Sequence, residues 1–155
     1  MKIRQVDVSS KEEVLREATA EGYLRLKPET IRRIVEGRVE KGDPVALAQV
    51  GGILAAKETP RLLPLCHQLR MEKVEIELDV DQESSCVRVR SSVKARERTG
   101  VEMEALTAVA VALLNVWDLV KQYEKDESGQ YPETEILGIR VLSKVKGEGA
   151  SPRTD

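Results

Sequence analysis

The chain has 155 residues, 41% of them hydrophobic and 34% charged, with a formal net charge of −2, which suits one domain spanning 1–155 around a single core. This composition excludes a disordered tail protein, a collagen-like fibre and, with only Cys66 and Cys86, a disulfide scaffold. No apolar run reaches the ~18 residues of a membrane span, Met1-Lys2-Ile3-Arg4-Gln5 lacks a signal-peptide stretch, and no global positive field draws nucleic acid. The expectation is a cytoplasmic protein with reduced thiols and neither a membrane nor a nucleic-acid partner.

The first element is an alternation of Ala18, Ala20, Leu24 and Leu26, which reads as a strand, although Ser9-Ser10-Lys11-Glu12 could equally cap a helix. Pro28 opens a short helix that closes near Gly37. Asp43 as N-cap and Pro44 as first helical residue start another, running towards Lys57. Its Ala48, Gly51, Gly52, Ala55 and Ala56 let it approach a neighbour closely. Two strands of period two follow. Val74, Ile76, Leu78 and Val80 alternate with Glu75, Glu77 and Asp79, while Val87, Val89, Val93 and Ala95 are in phase between Arg88, Arg90, Lys94 and Arg96. The polar link from Asp81 to Ser85 makes them a hairpin. Setting Asp79 against Arg88, Leu78 against Val89 and Glu77 against Arg90 gives charge pairs of roughly 0.2–1 kcal/mol each, which fix the register. The basic row is therefore better explained by sheet pairing than by nucleic-acid contact.

A third helix runs from about Val101 to Tyr123, with Thr99-Gly100-Val101-Glu102 as its capping box. Asp126 to Thr134 is a surface loop, and Leu137, Ile139, Val141 and Val145 form the last strand. Residues 147–155 are expected to be a flexible tail. Strand, helix pair, strand, strand, helix, strand is the α+β order of a ferredoxin-like fold: an antiparallel sheet with helices on one face. The other face is left to solvent or to a partner subunit.

The single histidine, His67, lies in Leu65-Cys66-His67-Gln68, a stretch stiffened by Pro60 and Pro64. A lone His is usually a satisfied core or surface residue, and with Cys86 far along the chain no zinc spacing is present. At ~100° per residue, Glu104, Thr107, Val111, Leu114, Asp118 and Lys121 share one stripe of the long helix, acidic at one end and closed by an Asp–Lys pair at the other. Glu104 and Asp118 are roughly 21 Å apart along the axis, too far to touch one reacting atom. Each end must serve a different part of a long ligand, or sites in different subunits of a symmetric oligomer. Lys41, Lys57 and Lys144 are isolated cations that, converging with His67, would hold phosphates by side chains, since no Gly-rich phosphate loop is present.

Val6-Asp7-Val8-Ser9, Lys41-Gly42-Asp43, Gly52-Ile53-Leu54-Ala55-Ala56-Lys57, Pro64-Leu65-Cys66-His67, Thr99-Gly100-Val101-Glu102-Met103-Glu104-Ala105-Leu106-Thr107-Ala108 and Asp118-Leu119-Val120-Lys121 follow in that order. Together they closely resemble the MoaC family, the cyclic pyranopterin monophosphate synthases of molybdenum cofactor biosynthesis, over about residues 6 to 146. The resemblance implies a ferredoxin-like protomer in a homohexamer, a trimer of dimers with interfacial active sites. It implies a lyase that converts a GTP-derived substrate, 3′,8-cyclo-7,8-dihydroguanosine triphosphate, to cyclic pyranopterin monophosphate and pyrophosphate. A radical S-adenosylmethionine enzyme would supply that substrate, and the step itself calls for no cofactor or metal.

Carried over by position, the resemblance makes Asp118 the catalytic aspartate and Lys41 and Lys121 the essential lysines. It makes Leu65, Cys66, His67, Met103 and Glu104 substrate-binding, with Arg16, Lys57, Glu102 and Lys144 as further polar lining. Gln68 stands where the family usually has proline, the Asp126 to Glu135 segment is longer than in many bacterial members, and the usual Gly-Gly-Lys-Ser-Gly ending is missing. The alternative is a non-catalytic ferredoxin-like module that binds a small regulatory ligand. An RNA-binding version needs exposed aromatics on the central strands, and Val74 to Val80 and Val87 to Ala95 contain none.

Overall fold

A computed structural model describes residues 1–149. The alternating segments build one four-stranded sheet from β1 (Val14–Arg25), β2 (Met71–Asp81), β3 (Cys86–Glu97) and β4 (Glu135–Gly149). Its order is β2-β3-β1-β4 with every neighbouring pair antiparallel. Three helices, α1 (Pro28–Val35), α2 (Pro44–Leu62) and α3 (Glu102–Glu124), complete the α+β arrangement expected of a ferredoxin-like chain. The first segment is a strand: Ser9 and Ser10 sit in a turn in which Lys11 N–H donates to Val8 O at 3.0 Å, and no helix follows. β4 continues through 147–149, while 150–155, the rest of the expected tail, lie outside the described residues.

The hairpin forms in the expected register, with Asp79 opposite Arg88, Leu78 opposite Val89 and Glu77 opposite Arg90. Arg88 pairs with Asp79, but Arg90 turns to β1 and binds Glu21 at 3.1 Å. β3 lies between β2 and β1, so Arg90 has a carboxylate on either side, and Glu21 is the buried one. An ion pair gains more where water is excluded, and that decides the choice. Burial would raise the Glu21 carboxyl, but hydrogen bonds from Arg90 and the Tyr23 hydroxyl, with help from Arg140, bring it below its ordinary value.

The opposite face of the sheet carries the core. Ala18, Ala20 and Leu24 of β1 and Val87, Val89, Val93 and Ala95 of β3 pack under Ala105, Ala108, Val109, Ala112, Leu113, Val116 and Val120 of α3. With no Phe and few aromatics, small side chains bring the layers close. The buried Ser91 hydroxyl donates to Ala105 O at 2.7 Å, which ties β3 to the first turn of α3. α3 is long and apolar enough to cross a membrane by length and composition, yet half of that stretch is buried here as the core helix.

Gly22 marks a close approach of β1 to β4 and α3. A Cβ there would lie 2.9 Å from both Ile139 Cγ1 and Val109 Cγ1 and 3.1 Å from Leu113 Cδ1. Since Val109 and Leu113 are fully buried and cannot move aside, Gly22→Ala is expected to destabilise the fold by about 1–3 kcal/mol, read as a lower Tm in thermal unfolding.

Two boundaries differ from expectation. α2 runs on through Pro60 to Leu62, because a proline ring suits helical φ and removes only one hydrogen-bond donor near the helix end, and Leu63 N–H then donates to Thr59 O at 2.9 Å. The capping box before α3 does not form: the N-cap is Val101, with no side-chain cap. Glu102 is instead drawn to Lys144.

Candidate active site

The two charged ends of α3 collect the candidate residues into two separate groups. At its C-terminal end, Asp118 and Lys121 lie one turn apart, and Lys121 Nζ meets Asp118 Oδ1 at 2.8 Å. The loop between α1 and α2 delivers Lys41, whose Nζ donates to Asp118 O at 3.3 Å. Asp118 thus meets two ammonium groups, Lys121 at its carboxylate and Lys41 at its main-chain oxygen. The hydrogen bond and charge of Lys121, then the charge of Lys41, hold the Asp118 carboxyl below its ordinary range, and Asp118 in turn pushes the Lys121 ammonium up. Beside them, Tyr131 from the long loop packs edge-on against Trp117, with ring centroids 5.3 Å apart.

At the N-terminal end of α3, a cavity of about 410 Å³ is lined by Leu65, Cys66, His67, Glu102, Met103 and Glu104, with Arg4, Val6, Val8 and Lys11 along one wall. The Pro-stiffened loop after α2 presents the first three, and the start of α3 the next three. His67 Nε2 lies 2.7 Å from Val6 O. A carbonyl only accepts, so Nε2 carries the hydrogen and a neutral ring keeps Nδ1 free as an acceptor.

The two acids of this wall differ in environment. Burial works to raise the Glu102 carboxyl, but Lys144 at 2.5 Å and the nearby Arg16 charge bring it below its ordinary value. Glu104 is 3% exposed, and its Oε2 has no hydrogen-bond partner among the described residues. Burial, reinforced by the charge on Glu102, raises its carboxyl. Burial and then the Glu104 charge likewise raise the Cys66 thiol, so Cys66 is held as a thiol rather than a nucleophilic thiolate. Arg16 is nearly buried, donating to Glu97 O and Arg98 O at 3.3 Å each, and a second hollow of about 270 Å³ places it with Lys11 and Lys146.

Lys57 joins neither group; it lies in a separate hollow with Ile53, Leu69, Met71, Glu72, Lys73 and Val74. Among the described residues, therefore, the cavity lined by His67 includes neither Lys41 nor Asp118.

Sequence reasoning missed the N-terminal segment. Val6 and Val8 line the cavity, and Gln5 Nε2 donates to Leu65 O at 3.3 Å and to Cys66 O at 3.2 Å, strapping the segment across the His67 loop. The only signal was the Val6-Asp7-Val8-Ser9 motif itself. The role of Gly100 was also hidden: a Cβ there would overlap the Glu102 carboxylate. Gly100→Ala is expected to keep the fold but push Glu102 away from Lys144, raising KM for an anionic substrate several-fold in steady-state kinetics.

Fold and side chains together define a ferredoxin-like protein with acidic and basic side chains gathered at both ends of α3. Comparison with known sequences makes this specific. The MoaC family profile matches residues 5–147. A "probable cyclic pyranopterin monophosphate synthase" of Sulfurisphaera tokodaii is 57% identical over 141 residues, 91% of this chain and 92% of the relative. Relatives with the same description in Sulfolobus acidocaldarius (54% identical, 93% of this chain and 99% of the relative) and Archaeoglobus fulgidus (51%, 94% and 92%) are similar over most of their length. The chain belongs to the MoaC family.

Proposed function

We propose that this protein is a cyclic pyranopterin monophosphate synthase acting in the cytoplasm in molybdenum cofactor biosynthesis. It is a lyase that takes 3′,8-cyclo-7,8-dihydroguanosine triphosphate, the product of a radical S-adenosylmethionine enzyme, to cyclic pyranopterin monophosphate and pyrophosphate. The observation that supports this most directly is the Lys41–Asp118–Lys121 arrangement, where Lys121 meets the Asp118 carboxylate at 2.8 Å and Lys41 meets the main-chain oxygen of the same residue at 3.3 Å.

Rearranging a guanine-derived ring into a pyranopterin requires protons to be removed and returned. Asp118, kept ionised by its neighbours, is the base; Lys121, kept protonated, is the acid that returns the proton. Lys41 stabilises negative charge that develops beside them. Closing the cyclic phosphate forms one P–O bond at the α-phosphorus and breaks the bond to the departing pyrophosphate. The leaving group's charge falls to Lys144 and Arg16, His67 binds the substrate through its free Nδ1 as an acceptor, and the bent geometry that closure needs is held by the pocket. Leu65, Cys66, Met103, Glu102 and Glu104 line the binding cavity.

The roughly 21 Å between Glu104 and Asp118 supports sites shared between chains. Both groups serve one substrate when the C-terminal end of one α3 meets the N-terminal end of another, in a homohexamer built as a trimer of dimers with interfacial sites. Lys57 reaches such a site only from a neighbouring copy.

The deciding experiment supplies the cyclised GTP substrate and measures pterin and pyrophosphate. Sedimentation of the same preparation is expected to give a hexamer. A regulatory ligand-binding module would bind the nucleotide without turnover, and a fully active monomer at micromolar concentration would contradict interfacial sites.

A further inference from the structure

Lys41 is carried by the connection between α1 and α2, residues 36–43, which has no regular secondary structure. It turns at two glycines in the left-handed region, Gly37 at φ 67° and Gly42 at φ 133°, so its backbone is not stiff by itself. Three hydrogen bonds tie it to the last turns of α3. Lys41 Nζ donates to Asp118 O at 3.3 Å, Gln122 Nε2 donates to the Glu40 carboxylate at 3.3 Å, and Glu40 N–H donates to the Tyr123 hydroxyl at 3.0 Å.

These bonds are unequal. The first two end on long exposed side chains with many rotamers, which pay for ordering in entropy. The third joins a main-chain N–H, one residue from Lys41, to a phenol whose own position is fixed. Tyr123 is half-buried against the core, and the Arg33 guanidinium stacks 4.5 Å over its ring. α1 and the core thus hold the ring from behind while its hydroxyl holds the loop in front. Neither the proton chemistry nor the binding cavity uses this group.

We propose that Tyr123 is a positioning residue for the synthase reaction, its hydroxyl anchoring the Glu40 main chain so that the Lys41 ammonium stays against Asp118. The assignment rests on the synthase reading for its kinetic consequence, but not for its structural one. Lys41 binds the main-chain oxygen of Asp118, which leaves the carboxylate to Lys121. Loosening the loop therefore removes a cation from beside the reacting group without disturbing the Asp118–Lys121 pair. Substrate binding at the other end of α3 is untouched.

Tyr123→Phe deletes only the hydroxyl and keeps the ring under Arg33. With the cyclised GTP substrate, it is expected to lower kcat about fivefold, the size of one ordinary hydrogen bond, and to leave KM within about twofold. A second readout needs no turnover: brief acylation by an N-hydroxysuccinimide ester, followed by peptide mass spectrometry. Labelling of Lys41 is expected to rise in Tyr123→Phe relative to wild type while labelling of Lys57 stays constant. If kcat and Lys41 labelling both match wild type, or if all lysines label faster together, the positioning role is overturned. If the wild type makes no pterin but Lys41 alone is released by the substitution, the synthase reading falls and the anchoring stands.

Discussion

Asp118→Asn is expected to fold and assemble normally, because the carboxylate is exposed and its loss empties no part of the core, yet to lose about 10²- to 10⁴-fold in kcat. Asparagine keeps the shape and loses the basicity, so KM should move little, and the split between the two constants identifies a group used in proton transfer. The stronger form of this experiment uses two inactive proteins. Asp118→Asn damages the C-terminal group of α3, and Glu104→Gln damages the N-terminal group about 21 Å away on the same helix. If each site takes one group from each of two chains, co-expressed variants assemble some sites with both groups intact. Random pairing makes that about a quarter of all sites, so roughly a quarter of wild-type turnover should return from two chains that are nearly dead alone. No recovery in mixed assemblies, each variant being well folded, would mean that a site is built within one chain.

The possibility of that experiment was already present in the primary structure. Helical rise alone separates Glu104 from Asp118, and the alternation of Val74 to Val80 against Val87 to Ala95 dictated a hairpin whose register follows from opposed charges. These features are local: period, spacing and side-chain sign determine them within a dozen residues. What could not be read was long-range. Arg90 binds Glu21 rather than the Glu77 opposite it, because a strand 69 residues away excludes water from one carboxylate and not from the other.

The Gln5 to Leu65 and Cys66 contacts come from an extended segment with no period to announce where it docks. The Tyr123 anchor is invisible for the same reason, since an aromatic near a helix end looks like core until the loop 83 residues earlier is seen to lean on it. Lys57 shows the converse. A cation at the end of a small-residue helix has the right charge for phosphate, but the direction of α2 takes it into another hollow.

Glu104→Gln should separate stability from activity. The Glu104 carboxyl is buried, lacks a partner for Oε2 and faces the charge of Glu102, so its proton is held more tightly in the folded protein than in the unfolded chain. The sign then follows from linkage. Below the ordinary carboxyl value of 4.5, both states are protonated and the group costs nothing. As pH rises from there, the unfolded chain ionises first, and stability falls until the folded carboxyl ionises too. Glutamine has the same shape and never ionises, so the variant should have a higher Tm than wild type at pH 7, with the difference vanishing below about pH 4.5. In the proposed reaction, the same substitution removes a carboxyl able to bond an N–H of the substrate, and kcat/KM should fall about 100-fold. A gain in Tm with a loss of turnover would identify Glu104 as an acid retained for substrate at the expense of the fold. A lower Tm at pH 7 would instead make it a structural group, and the cavity it lines would lose its strongest claim to binding.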